Sequence, residues 1–121
     1  MTKDLVIGDA KRNGLSFHPD QNIINKDFRV DDNYYQDTDA FEYFNFTKGH
    51  MAPAADFKKS QKLYNTTFTY ANAVPQEGFL NQKHWAELED YGRDLLKDGK
   101  CDSLDVFTGP IYQSREKKFT N

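Results

Sequence analysis

Cysteine occurs once in the 121 residues, at Cys101, so no intrachain disulfide can staple the chain. That fits a reducing compartment without demanding one. No apolar run among these residues approaches the length of a bilayer span. The start, Met1-Thr2-Lys3-Asp4-Leu5, has neither the apolar stretch of a secretory signal nor the acid-poor, Arg/Ser-rich character of a transit peptide. Basic residues are not in excess: 16 Lys and Arg face 19 Asp and Glu, a net charge of −3, so charge alone gives no hint of a nucleic-acid partner. Aliphatic residues are also scarce. Much of the 37% hydrophobic content is aromatic, with ten Phe, seven Tyr and one Trp. The rings argue against disorder. The thin aliphatic supply argues that 121 residues form one domain, residues 1–121, and an incomplete one.

Along the chain, Leu5-Val6-Ile7 reads as a short strand, and Gly8 and Gly14 mark a loop. His18-Pro19-Asp20 reads as a turn. Residues 31–42 hold Asp31, Asp32, Asp37, Asp39 and Glu42 with no cation, interrupted by Tyr34-Tyr35, and read as a solvated acidic loop. The triplets at Asn45 and Asn65 match the glycosylation pattern by chance, since no secretory signal accompanies them.

The second half has clearer periods. Thr66 to Val74 is rich in β-branched and aromatic residues, with Phe68 and Tyr70 on one face, and predicts a strand that Pro75 ends. Trp85, Leu88, Gly92 and Leu95-Leu96 recur at helical spacing after Asn81. Asn81 suits the N-cap and Gly99 the C-terminal stop. Leu104 to Thr108 predicts a second strand before Gly109-Pro110. No repeat, low-complexity tract or linker divides the chain.

Four blocks then stand in order: TKGHMAPAADF, TFTYANAVPQ, LNQKHWAELE and VFTGPIY. Together they resemble the DNA/RNA non-specific endonucleases of the ββα-metal class, and look closest to the mitochondrial endonuclease G branch. The resemblance covers roughly residues 27 to 112. It implies an α+β fold, a ββα-metal (His-Me finger) nuclease core lacking the family's N- and C-terminal flanking strands. It also implies a hydrolase: a Mg²⁺-dependent endonuclease (Mn²⁺ as an alternative metal) that cuts DNA and RNA without sequence preference and leaves 5′-phosphate and 3′-hydroxyl ends.

Such hydrolysis needs a base to activate water and a cation to stabilise charge on phosphate and leaving oxygen. One imidazole can be the base. Mg²⁺ prefers oxygen ligands and keeps most of its waters, so one or two side chains suffice to hold it.

By the resemblance, His50 is the general base, Asn81 the residue that binds the metal directly, and Asn72 a residue that shapes the site around the phosphate. Glu89 matches a glutamate that reaches the metal through water. Eight residues after Asn81, it would sit about 12 Å up a straight α-helix and about 80° around it, too far to share direct ligation. Arg29, in Phe28-Arg29-Val30-Asp31-Asp32, matches a phosphate-contacting arginine, with pairing to those aspartates as the alternative. Lys48 stands where the family has arginine, and keeps the charge without the planar fork. Lys58, Lys59 and Lys62 read as a solvated basic turn, and Trp85 as core.

The family's Asp-Arg-Gly-His is Thr47-Lys48-Gly49-His50 here, and Thr47 removes a negative charge. Reduced activity is the expectation. Two further readings follow: a catalytically inactive paralogue that binds nucleic acid or a protein, as a homodimer or a heterodimer with an intact paralogue, or a non-functional fragment. By analogy the location is the mitochondrion.

Overall fold

A computed structural model describes residues 1–35 and 45–111. Asp37, Asp39 and Glu42 of the acidic stretch, and Tyr112 of the last block, lie outside the described residues. Among the described residues there are three α-helices: α1 (Lys3–Val6), α2 (Gln61–Thr66) and α3 (Ala86–Lys97). Two strands, β1 (Phe46–His50) and β2 (Ala73–Glu77), pair antiparallel with Phe46 opposite Glu77 and His50 opposite Ala73. A π-helical segment, Leu80–Trp85, leads directly into α3. The order strand, strand, helix expected of the core is therefore present.

Each β1 residue alternates between faces. The Lys48/His50 face meets aromatic rings: Tyr35, Tyr70 and Ala73 form a buried cluster, with Phe17 and Val30 packed against it. Phe68 is buried beside them and stacks obliquely on Phe17. This explains how so ring-rich a chain builds a core from few aliphatics. α1 also packs on α3, whose Leu96 is fully buried.

Four local expectations are corrected. Leu5-Val6 belongs to α1 rather than a strand, and Ile7 follows it in extended conformation. Residues 66–72 do not form a strand: Ser60 caps α2, and a 3₁₀ turn over Tyr70–Asn72 follows. The alternation of Phe68 and Tyr70 still marks burial correctly, since both are 2% exposed. Their environment, including a lone bridge from Thr69 to His18, decides the backbone. Pro75 does not end the strand but sits inside β2 opposite Lys48. Among the described residues the sheet has two strands, so β2 has a side without a strand neighbour, where a missing N–H costs nothing. Leu104 to Thr108 forms no strand. Met1 and Leu104 exchange two hydrogen bonds of 2.8 and 2.9 Å, and Thr2 bridges Ser103, but Phe107 stands 95% exposed.

The helix stop is as expected. Gly99 adopts φ +69°, its N–H reaches Leu96 O, and Lys100 N–H reaches Leu95 O. That is the paired hydrogen-bond pattern of a left-handed glycine cap. The helix start differs. Helical backbone already precedes Asn81, and Glu77 does the capping: its carboxylate accepts from Phe79 N (3.0 Å) and Leu80 N (2.8 Å). Two backbone donors hold that carboxyl below its ordinary pKa.

Candidate active site

His50 ends β1, wedged between Phe17 and Phe68 with ring centroids 4.7 Å from each. Its Nε2 is buried and has no hydrogen-bond partner among the described residues. Burial, with a smaller push from the Arg12 guanidinium, lowers the imidazole to a pKa of about 4. At neutral pH the ring is uncharged with a nitrogen free to accept a proton. Gly49 precedes it for a steric reason: a Cβ there would fall 2.1 Å from Gln76 Oε1 and 2.9 Å from Gln76 Cβ.

Lys48 shares the His50 face. Its ammonium sits 5.2 Å from the centre of the Tyr70 ring and 5.6 Å from that of Tyr35, and donates to Tyr70 Oη at 3.2 Å. Tyr70 in turn donates to Asp32. Burial first, then that carboxylate, pushes the Tyr70 phenol up.

Arg12 is the residue that sequence reasoning missed. It stacks over Phe68 at 5.2 Å and lines, with Ser16, Phe17 and Lys48, an open hollow of about 370 Å³. The available signal was the Asn13-Gly14 pair that follows it. Both residues have positive φ (45° and 74°), and Leu15 N–H closes the turn onto Arg12 O.

Asn72 uses its whole side chain on backbone. Its Nδ2 donates to Ala52 O (2.8 Å) and Thr67 O (2.9 Å), and its Oδ1 accepts from Ala52 N (2.9 Å). Its own carbonyl accepts from Met51 N. The two residues after His50 are thus fastened to the segment before β2.

Asn81 lies in the π-helical segment, whose last residue, Trp85, lines a hollow of about 250 Å³ together with His50. Its Nδ2 donates to Thr47 Oγ1 at 2.9 Å, and Thr47 Oγ1 donates to Gln76 O at 3.1 Å. Because Glu77 caps the helix, the Asn81 oxygen is not needed there. It accepts no hydrogen bond among the described residues, and a single free amide oxygen suits a hard, largely hydrated cation.

Glu89 lines a hollow of about 140 Å³ together with Asp56 and Trp85. Burial raises it to a pKa of about 7; Arg93 opposes this, and Asp56 and Asp90 reinforce it. The π-helical segment separates it from Asn81, so the straight-helix angle does not describe their relation. Arg93 itself is buried and joins Asp56 at 2.7 Å and Asp90 at 2.5 Å.

Arg29 is bound within its own loop: Nε and Nη2 donate to Ile23 O and Nη1 to Gln21 Oε1. It pairs with neither aspartate that follows it. Lys58 donates to Ala10 O, and Lys59 pairs with Asp4 at 3.7 Å. The structure therefore brings Lys48 and His50 together with Arg12, joins Asn81 to Thr47, sets Glu89 in a hollow that shares Met51, Trp85 and Thr108 with one lined by His50, and keeps Arg29 within its own loop. Among the described residues, no group of three or more His, Cys, Asp or Glu is placed to hold a metal ion. No helix among them is long and apolar enough to cross a membrane.

These features coincide with clear relationships to known proteins. The profile of the DNA/RNA non-specific endonucleases matches residues 1–121. Human mitochondrial endonuclease G is 39% identical over 93 residues, 74% of this chain and 31% of that protein. The bovine protein is 34% identical over 109 residues, 89% of this chain and 33% of its own. The mitochondrial nuclease of Saccharomyces cerevisiae is 42% identical over 84 residues, covering 66% of this chain and 25% of its own. EndoG, in a crystal structure of its complex with EndoGI, superposes with a TM-score of 0.68 at 29% identity, over 80% of this chain and 38% of that one. The chain thus spans about a third of its relatives' length. It belongs to the DNA/RNA non-specific endonuclease family.

Proposed function

We propose that the chain carries the active-site segment of a metal-dependent endonuclease that hydrolyses phosphodiester bonds of DNA and RNA. One observation carries the reading: His50 presents a neutral imidazole on the same strand face as a cation, Lys48. In this reading the His50 imidazole takes the proton of the attacking water. Lys48 and Arg12 offset phosphate charge; two nearby anionic oxygens would in turn raise the His50 pKa toward the working range. Asn72 acts as a positioning residue, holding residues 51–52 so that the His50 ring keeps its place. The Asn81 amide oxygen would hold Mg²⁺ or Mn²⁺. When bound, the metal would neutralise charge building on the phosphate and leaving oxygen. The groups engage phosphate rather than base edges, which supports sequence-independent cutting.

Plasmid nicking with Mg²⁺ tests this, comparing wild type with His50→Ala and Asn81→Ala. Loss of cleavage in both is expected, and cleavage that survives both refutes the site. A second reading, a catalytically silent relative that binds nucleic acid or a protein partner, is favoured by the Lys48 ammonium being already engaged by Tyr70 and two rings. It predicts no nicking, with DNA retardation retained at low salt. The relatives' names support a mitochondrial location, testable by imaging a tagged chain against a mitochondrial marker.

A further inference from the structure

We infer that Thr47 is a positioning residue that sets the orientation of the Asn81 side chain, turning its oxygen toward a divalent cation. The inference rests on the reading of Asn81 as a metal-holding residue and assigns the step that prepares it.

The argument follows from proton counting. Gln76 O is a carbonyl and can only accept, so the single hydroxyl proton of Thr47 is committed to it at 3.1 Å. The Thr47 oxygen can then only accept from Asn81, 2.9 Å away. A carboxamide placed there must present its NH₂, and its oxygen is directed away from the strand. An unanchored amide could turn either end outward, and only one end can ligate a cation. A second device works in the same direction: Glu77 takes the helix-start N–H groups, which would otherwise compete for an asparagine oxygen. Thr47 stands where the family has aspartate. A carboxylate could also accept from Asn81, but it could not donate to the Gln76 carbonyl. The hydroxyl performs both tasks without adding charge.

The test uses the full chain, with Mg²⁺ and Mn²⁺ alone as probes. Mg²⁺ is followed through the side-chain amide resonances of Asn81, and Mn²⁺ through their paramagnetic broadening. Thr47→Val keeps the shape and β preference of the side chain but deletes the hydroxyl, and Thr47→Ser restores it. The expected result is metal affinity weakened about tenfold or more in the Val variant, with the Ser variant close to wild type. Wild-type affinity in a folded Thr47→Val protein overturns the inference and leaves the nuclease reading standing. Absence of any metal effect at Asn81 in the wild type sinks both. Should the Val variant fail to fold, nuclear Overhauser contacts in the metal-free wild type decide. Contacts from the Asn81 NH₂ protons to the Thr47 side chain support the inference, and their absence overturns it.

Discussion

Lys48 places its ammonium 3.2 Å from the phenolic oxygen of Tyr70, within the span of two stacked tyrosine rings. The phenol O–H donates to Asp32, so a lone pair of its oxygen is left to accept from the lysine. The cation in the motif is therefore held by a chain of partners that a planar, forked arginine would fill differently.

Tyr70→Phe keeps the ring and removes the hydroxyl. Loss of the buried hydrogen bonds should lower unfolding free energy by about 1–2 kcal/mol, read from urea melts. Lys48→Met should remove the dependence: adding Tyr70→Phe to it costs less than in the wild type, a coupling a double-mutant cycle would measure.

Two groups tilt the pH dependence of stability in opposite directions. His50 has a pKa of about 4 folded against an ordinary 6.5, so the unfolded chain binds more protons between those values. Its contribution is full above pH 6.5 and is lost as pH falls toward 4, by at most about 3 kcal/mol. Glu89 is raised from 4.5 to about 7, so the folded chain binds more protons there, and stability drains as pH rises through that window. The overlap flattens the wild-type curve between pH 4.5 and 6.5. In denaturant melts across pH, His50→Gln should leave a falling slope with rising pH, and Glu89→Gln a rising one.

Asn72→Ala removes three side-chain hydrogen bonds to backbone groups of Ala52 and Thr67. A cost of about 2–4 kcal/mol is expected, since the abandoned backbone groups are part-buried. Asn72→Asp should be no better, because a carboxylate cannot donate to the two carbonyls. Thermal melts rank the pair.

Arg93→Met leaves the Asp56 carboxylate buried without its ion pair. The expected loss is about 3–5 kcal/mol. Replacing both, as Asp56→Leu with Arg93→Met, should recover much of it, as calorimetry would show.

The ordered motifs were legible because spacing carries them: His50, Asn72 and Asn81 fall on β1, before β2, and in the π-helical segment just before α3. Gly99 was legible because its backbone angle admits few other residues. The 66–72 segment was misread because its alternation is a record of burial, which a 3₁₀ turn satisfies as well as a strand. The role of Glu77 was hidden because Asn81 is the better capping residue by type, and only the actual start of the helix shows which side chain is in reach. Arg12 escaped because its neighbourhood with His50 depends on a fold-back of 38 residues, and no local pattern announces that.

The π-helical segment Leu80–Trp85 acts as a phase shifter in the helix. A wider turn accommodates a residue that a regular α-helix would not, so everything after it is rotated relative to Asn81. Asn81 can then face Thr47 while Arg93 and Leu96 downstream face the interior. Deleting one residue within 82–85 would reset that phase by about 100°. The chain could keep its helix, its composition and its motif residues, yet lose the alignment between the amide and the core that steadies it.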